Sequence, residues 1–242
     1  MVHTLEPWTT KYRMATIFGQ IDTGELAARL GSPVTFDRRG NVIFIEEFTD
    51  GLARWVTAGS GTGHTQSTTI ERWNKRGISC KMTTGDAATN YKQLRHFTPF
   101  PVVGKIGFEV SFTIDENAEY MSFYNVAFDG TYGHYGQFRF YPPAMELKYK
   151  DSTGDYVSLA AGLNLSTNDK MFHTFKFVHD IKTDRYVRAI FDSYTYDMSA
   201  LTSFKDEETT SIGLQTYLYI RTGSAVSSVM YVDDVILTQN EP

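Results

Sequence analysis

The chain has 242 residues, 41% of them hydrophobic, which is enough for one sizeable core, and its 15 Tyr and 17 Phe against 3 Trp favour sheets over helices. The net charge is −5 and the sequence has no run of Lys and Arg. It therefore lacks the cluster of basic residues expected of a nucleic-acid-binding protein. No segment approaches the roughly 18 apolar residues that span a bilayer, so we expect no membrane segment. Cys80 is the single cysteine, so an intrachain disulfide and a thiolate metal cluster are excluded, and we expect it to be buried.

Residues 1–41 differ from the rest of the chain and are predicted to form an extended N-terminal arm. Its one short helix begins at Asp22, with Glu25 completing a capping box, and ends at Gly31 and Pro33. A helix of two turns is not stable alone. The arm must therefore dock on its own domain or on a neighbouring molecule, and both alternatives stay open.

Strand patterns recur from Asn41 onward. The first strand begins at Val42, and residues 104–114 alternate most clearly, with Phe108, Val110 and Phe112 on one face. Further short segments separated by turn residues bring the expected number to about a dozen strands. The sequence predicts an all-β domain of two packed antiparallel sheets over residues 42–242.

The last third of the chain predicts an antiparallel hairpin. Residues 173–180 and 186–192 are rich in β-branched and aromatic side chains, and a short polar turn joins them. A further strand at residues 229–237 is predicted as a second hairpin partner.

Three segments carry a resemblance to a known family. The segment Glu46-Glu-Phe-Thr-Asp-Gly-Leu-Ala-Arg-Trp55 resembles the first strand and turn of concanavalin A-like lectin/glucanase domains. The hairpin is similar to that of laminin-G-like members, and Tyr231-Val-Asp-Asp-Val-Ile-Leu237 resembles the closing strand of carbohydrate-binding modules. The resemblance implies an antiparallel jelly-roll β-sandwich.

The arm and the segment Thr35-Phe-Asp-Arg-Arg-Gly-Asn-Val42 resemble bacteriophage virion proteins that append such a sandwich to a tether. This resemblance implies a virion component, a capsid decoration or tail-associated protein, assembled in the host cytoplasm. Its partners would be capsid or tail proteins or further copies of the chain. The segment Met1–Arg13 lacks an apolar stretch, so we expect no export signal.

Catalytic signatures of the glucanases are absent from the sequence. Those enzymes carry acidic residues at alternate positions of one strand, whereas Glu46 and Glu47 are adjacent and point to opposite faces. We therefore expect no catalytic residues and no cofactor other than a structural ion.

Two constellations remain as candidate sites. Tyr132, His134 and Tyr135 follow one another in a glycine-rich stretch and are predicted as a glycan or partner loop; the alternative is a solvent-exposed tight turn. Glu47 on the first strand, with Asp233 and Asp234 on the last, is predicted as a structural calcium site because that ion prefers oxygen ligands. Surface or backbone-capping carboxylates are the alternative, since Thr49 stands where related modules have Glu.

Three functions follow from these observations. The first is a non-enzymatic structural or interaction protein of a virion, attached through residues 1–41. The second is a lectin-like module that binds a cell-surface glycan. The third is a glycoside-active enzyme of the glucanase fold. The sandwich itself serves all three.

Overall fold

The computed structural model describes residues 39–75, 77–209 and 211–242. The predicted helix and nearly all of the arm lie outside these residues, so the arm and its boundary at residue 41 stay predictions. The sandwich is described from its first strand onward, which begins at Asn41.

The described residues contain sixteen strands. In order they are β1 Asn41–Glu46, β2 Val56–Gly59, β3 Thr65–Thr69, β4 Ser79–Thr83, β5 Tyr91–Thr98, β6 Lys105–Thr113, β7 Ala118–Asp129, β8 Tyr132–Tyr141, β9 Glu146–Lys150, β10 Tyr156–Ala160, β11 Phe172–Asp180, β12 Arg185–Phe191, β13 Tyr194–Asp197, β14 Lys205–Glu207, β15 Ile212–Thr222 and β16 Val229–Gln239. A 3₁₀ turn at Pro142–Ala144 is the one helical element among the described residues, and no helix there is long and apolar enough to cross a membrane.

The strands form two antiparallel sheets of eight strands each. Sheet A has the order β13-β12-β11-β6-β16-β4-β3, with β1 paired to β16. Sheet B has the order β10-β9-β8-β7-β15-β5-β2, with β14 paired to β8. The predicted all-β sandwich is confirmed. Short strands such as β2 and β14 were not expected, because they are largely exposed and carry no hydrophobic alternation.

The predicted hairpin is confirmed, since β11 and β12 pair from Phe175 opposite Phe191 to Asp180 opposite Arg185. The prediction that residues 229–237 form a second hairpin partner is wrong. Strand β16 lies between β6 and β4 in the middle of sheet A and also pairs with β1. Nearly every residue of β16 is buried, as is typical of a strand with neighbours on both sides.

The core lies between the two sheets and is rich in phenylalanine. Phe108, Val110 and Phe112 of β6 are fully buried, as their alternation predicts. Phe112 contacts Phe123 of the opposite sheet with ring centroids 4.4 Å apart. Cys80 is buried as expected, and this burial raises the pKa of its thiol to about 12.

The first turn is held by a buried carboxylate. One oxygen of Glu46 accepts a hydrogen bond from the Phe48 amide at 2.8 Å, and the other accepts one from Trp55 Nε1 at 3.3 Å. Phe48 has a φ of 58° and is fully buried, so the side chain anchors a strained backbone position to the core. Glu46 therefore has a structural role.

Candidate functional site: a tyrosine-lined sheet face

The outer face of sheet B carries polar and aromatic side chains at alternate positions. On β15, for example, Leu218 and Ile220 are buried in the core, whereas Tyr217 and Tyr219 point away from it and are half-buried. Strand pairing aligns the outward-facing residues in rows. One row is Arg95, Tyr217, Tyr124 and Gln137, the next is Gln93, Tyr219, Ser122, Arg139 and Lys148, and a third contains Tyr91, Arg221 and Tyr120. We call this surface the tyrosine face.

Neighbouring rings on the tyrosine face are stacked. Tyr124 and Tyr217 have centroids 4.2 Å apart and an interplanar angle of 9°. Tyr219 stacks on Tyr91 at 5.2 Å and on Tyr120 at 5.6 Å. These contacts fix the ring orientations and leave hydroxyl groups along the face.

Arg139 lies at the centre of the tyrosine face. Its guanidinium carbon is 4.2 Å from the ring centroid of Tyr120 and 3.7 Å from that of Tyr156, which is cation–π contact on both sides. Its Nε has no hydrogen-bond partner among the described residues. A shallow cavity of about 140 Å³ opens here, lined by Tyr120, Ser122, Tyr124, Gln137, Arg139 and Tyr219.

The groups around the cavity are hydrogen-bond donors and cations. Burial raises the pKa of Tyr156 to about 12 and also raises that of Tyr124, so both hydroxyls stay protonated at neutral pH. Lys150 lies 4.8 Å from the Tyr135 ring centroid. Burial, and then the charge of Arg139, lower the pKa of Lys150. The face can therefore donate hydrogen bonds to hydroxyl, carbonyl or carboxylate oxygens.

The structure separates the three residues of the predicted glycan loop. The chain turns at Gly130, where φ is 90°, and β8 already begins at Tyr132, so the stretch is strand rather than loop. The buried His134 ring contacts Asp184 at 2.5 Å and Asp129 at 3.3 Å. Tyr135 belongs to the tyrosine face, whereas Tyr132 and His134 lie at the alternate positions of β8, on the other face of the strand. The three cannot form one platform, and sugar binding by them stays an untested prediction.

Asp233 and Asp234 lie together at a bulge of β16 where it pairs with β6. One oxygen of Asp233 accepts a hydrogen bond from the Asn74 amide at 2.9 Å, and one of Asp234 accepts a bond from Asn74 Nδ2 at 3.2 Å. Burial, followed by the charge of Asp233, raises the pKa of Asp234 to about 7. The charge of Glu47 makes a smaller contribution to this rise.

Within the described ranges, no group of three or more His, Cys, Asp or Glu side chains is arranged to hold a metal ion. Asp233 instead accepts a hydrogen bond from the Asn74 backbone, as in the backbone-capping alternative, whereas Asp234 accepts one from the Asn74 side chain. Calcium binding at Glu47, Asp233 and Asp234 stays a prediction.

The tyrosine face is not among the sites that the sequence predicts, although a signal is present. Tyrosine recurs at alternate positions in Tyr217-Leu-Tyr219, with Arg221 next in the same alternation, and Tyr120 and Tyr124 share one face of β7. An apolar residue would satisfy a half-buried strand position equally well. The repeated Tyr with Arg is the sequence signal of this face.

No protein-family model and no curated protein matches the chain. Solved structures do match. An endo-β-1,4-glucuronan lyase from the fungus Trichoderma reesei is 12% identical with a TM-score of 0.58, over 82% of this chain and 95% of that one. A carbohydrate esterase, vb_24B_21, from the Shiga toxin-encoding bacteriophage phi24B is 12% identical with a TM-score of 0.54, over 82% and 98%. A Bauhinia forficata lectin in complex with GalNAc is 10% identical with a TM-score of 0.50, over 81% and 97%.

These identities are low, so the likeness concerns the fold. Lectins and glycan-active enzymes share the arrangement of two antiparallel sheets seen here. The likeness extends over about four-fifths of the chain and nearly the whole of each matched structure. The chain thus has the concanavalin A-like jelly-roll fold that its first turn, its hairpin and its last strand predict.

Proposed function

We propose that this protein binds a glycan on the tyrosine face. The observation that carries the proposal is the cavity at the centre of sheet B, where Tyr120, Tyr124 and Tyr219 surround Gln137 and Arg139. Aromatic rings stack on the apolar faces of sugar rings, and amide, hydroxyl and guanidinium groups bond to sugar oxygens. Rigid strands hold these groups in place, so little order has to be gained on binding.

Known proteins of the same fold support this proposal. The Trichoderma reesei structure is a glucuronan lyase, and the Bauhinia forficata lectin holds GalNAc. Both act on carbohydrates with a sandwich that aligns with this one. Their identities to this chain are 12% and 10%, so these structures support only the fold. Sugar binding is inferred from the residues of the tyrosine face.

Binding is favoured over glycoside hydrolysis by the lining of the cavity. Hydrolysis ordinarily requires two carboxyl groups on either side of the scissile bond. None of the six residues that line this cavity is Asp or Glu. Glu146, on the neighbouring strand β9, forms an ion pair with Lys148 at 3.2 Å.

Display on a phage particle is a separate part of the proposal. It depends on residues 1–41, which resemble the tethers of virion proteins, and it would place the tyrosine face where a virion meets cell-surface glycans. In this account the arm attaches the protein and the sandwich recognises the sugar.

The test is a glycan array followed by titration calorimetry with the sugars retained. Replacing Tyr124 and Tyr217 together by Ala removes a stacked pair from the face, and we expect affinity to fall at least about tenfold. Tyr132→Ala is the matched control, because this ring lies on the same strand as Tyr135 with the opposite alternation. Equal loss in the control, or unchanged binding by the double variant, would place the sugar elsewhere.

A further inference from the structure

The tyrosine face is positively charged, although the chain as a whole carries a net charge of −5. It presents five cationic side chains: Arg95, Arg139, Lys148, Lys150 and Arg221. Glu146 pairs with Lys148, and Glu119 pairs with Arg221 at 2.8 Å. Among the described residues Arg95, Arg139 and Lys150 form no ion pair, although the charge of Asp206 on β14 acts on Lys150 and partly offsets the lowering of its pKa. The described part of the face therefore keeps an excess of positive charge.

Like charges lie close together on the tyrosine face of the unbound protein. Arg139 lies directly opposite Lys148 in the register of β8 and β9, and like charges at opposing positions repel. The charge of Arg139 also contributes to the lowered pKa of Lys150. A bound anion would remove this repulsion, whereas a neutral sugar would leave it in place.

Arg139 is held in a fixed orientation for such an anion. The rings of Tyr120 and Tyr156 both contact its guanidinium, which restricts the side chain before any ligand arrives. A guanidinium presents its donors in one plane and matches the two oxygens of a carboxylate. Gln137 and Ser122 line the same cavity and supply neutral donors and acceptors for hydroxyl groups.

We propose that the glycan bound on the tyrosine face is an acidic polysaccharide built from uronic acids, with one sugar carboxylate bound by Arg139. This inference rests on the proposed glycan binding and adds the class of sugar to it. Lys150 and Arg95 extend the positive potential to either side of Arg139, and this suits a polymer that carries a charge on successive units.

The experiment compares polygalacturonate with the same polymer after methyl esterification, which keeps the backbone and removes the charge. We expect the wild-type protein to bind the free acid at least about tenfold more tightly. Binding should weaken as NaCl rises from about 50 mM to about 200 mM, because salt screens a partly exposed ion pair. Neither measurement needs a variant, so both stay decisive if a substitution unfolds the sheet.

Variants then locate the carboxylate. Arg139→Gln should weaken binding of the free acid roughly tenfold to a hundredfold, as expected for a lost charge-assisted hydrogen bond, and should leave the esterified polymer unaffected. Arg139→Lys should give an intermediate loss, because it keeps the charge and loses the planar donor pair. Arg185→Gln, which removes an exposed charge from sheet A, is the control and should bind as the wild type does.

Different results would overturn the glycan-binding proposal and the uronic acid inference. Equal binding of both polymers, still lost in the Tyr124 and Tyr217 double variant, would overturn the acidic-sugar inference and leave glycan binding intact. Absence of binding to every array glycan would overturn both proposals. Binding of dextran sulfate or single-stranded DNA as tight as that of polygalacturonate would show a general polyanion surface and overturn the assignment to uronic acids.

Discussion

Replacing Asp234 by Asn should stabilise the protein at neutral and alkaline pH. Asp234 is 1% exposed, and burial raises its pKa from 3.8 to about 7. Because the folded pKa lies above the unfolded one, the folded state holds the proton between these values and the unfolded state releases it. Stability therefore falls as pH rises from about 4 to about 7 and levels off above that.

The magnitude follows from the two pKa values. Each pKa unit corresponds to about 1.36 kcal/mol, so the cost of ionising Asp234 reaches at most about 4 kcal/mol above pH 7. Asn avoids that cost, keeps an oxygen that can accept the bond from Asn74, and tolerates the φ of 50° at this position. We expect Asp234→Asn to gain most at pH 8 and to equal the wild type at pH 4.

The assay is urea unfolding of wild type and variant across this pH range, with the exposed Asp50→Asn as control. A variant less stable than wild type at pH 8 would refute the reasoning, because it would show that the ionised carboxylate stabilises the bulge. Added calcium tests the predicted calcium site. If added CaCl₂ stabilises the wild type and has no effect on Asp234→Asn, the predicted calcium site exists.

Three further predictions concern the core, a histidine and the arm. Phe112→Ala should cost about 3 to 5 kcal/mol, read from thermal unfolding; an unchanged melting temperature would show that β6 is not central to the core. Burial lowers the pKa of His173, but the hydrogen bond at 2.6 Å and the charge of Asp192 outweigh it and raise the pKa overall. The free energy of unfolding of the wild type should therefore fall as pH rises above about 6.5, whereas that of His173→Gln should not fall in this way. Deleting residues 1–38 should keep the sandwich folded, since β1 begins at Asn41, but should abolish assembly; unchanged size-exclusion and particle-binding profiles would contradict the tether.

Local alternation predicted the strands that bury a continuous apolar face. Phe108, Val110 and Phe112 need only the two-residue period of a strand to specify a core position. The neighbours of β16 were not predictable in the same way, because its burial on both sides results from long-range pairing with β6, β4 and β1. The sequence of the strand shows that it is buried, but not which strands flank it.

The candidate site was harder to predict for a related reason. Tyr124 and Tyr217 become one stacked pair only because β7 and β15, far apart in the chain, are adjacent in sheet B. The glycines in the stretch from Asp129 to Gly136 predict a loop, because glycine is common in turns. In the structure its glycines instead make room for packing, since a Cβ at Gly136 would lie 2.6 Å from the Phe177 ring.

The most direct test of acidic-glycan binding on the tyrosine face is an NMR titration of ¹³C-tyrosine-labelled protein with oligogalacturonate. The account predicts shifts in the ring signals of Tyr124, Tyr217 and Tyr219, saturating at one common affinity, with Tyr132 unchanged. Unchanged signals from those three rings, or shifts confined to Tyr132 and to tyrosines of sheet A, would contradict it.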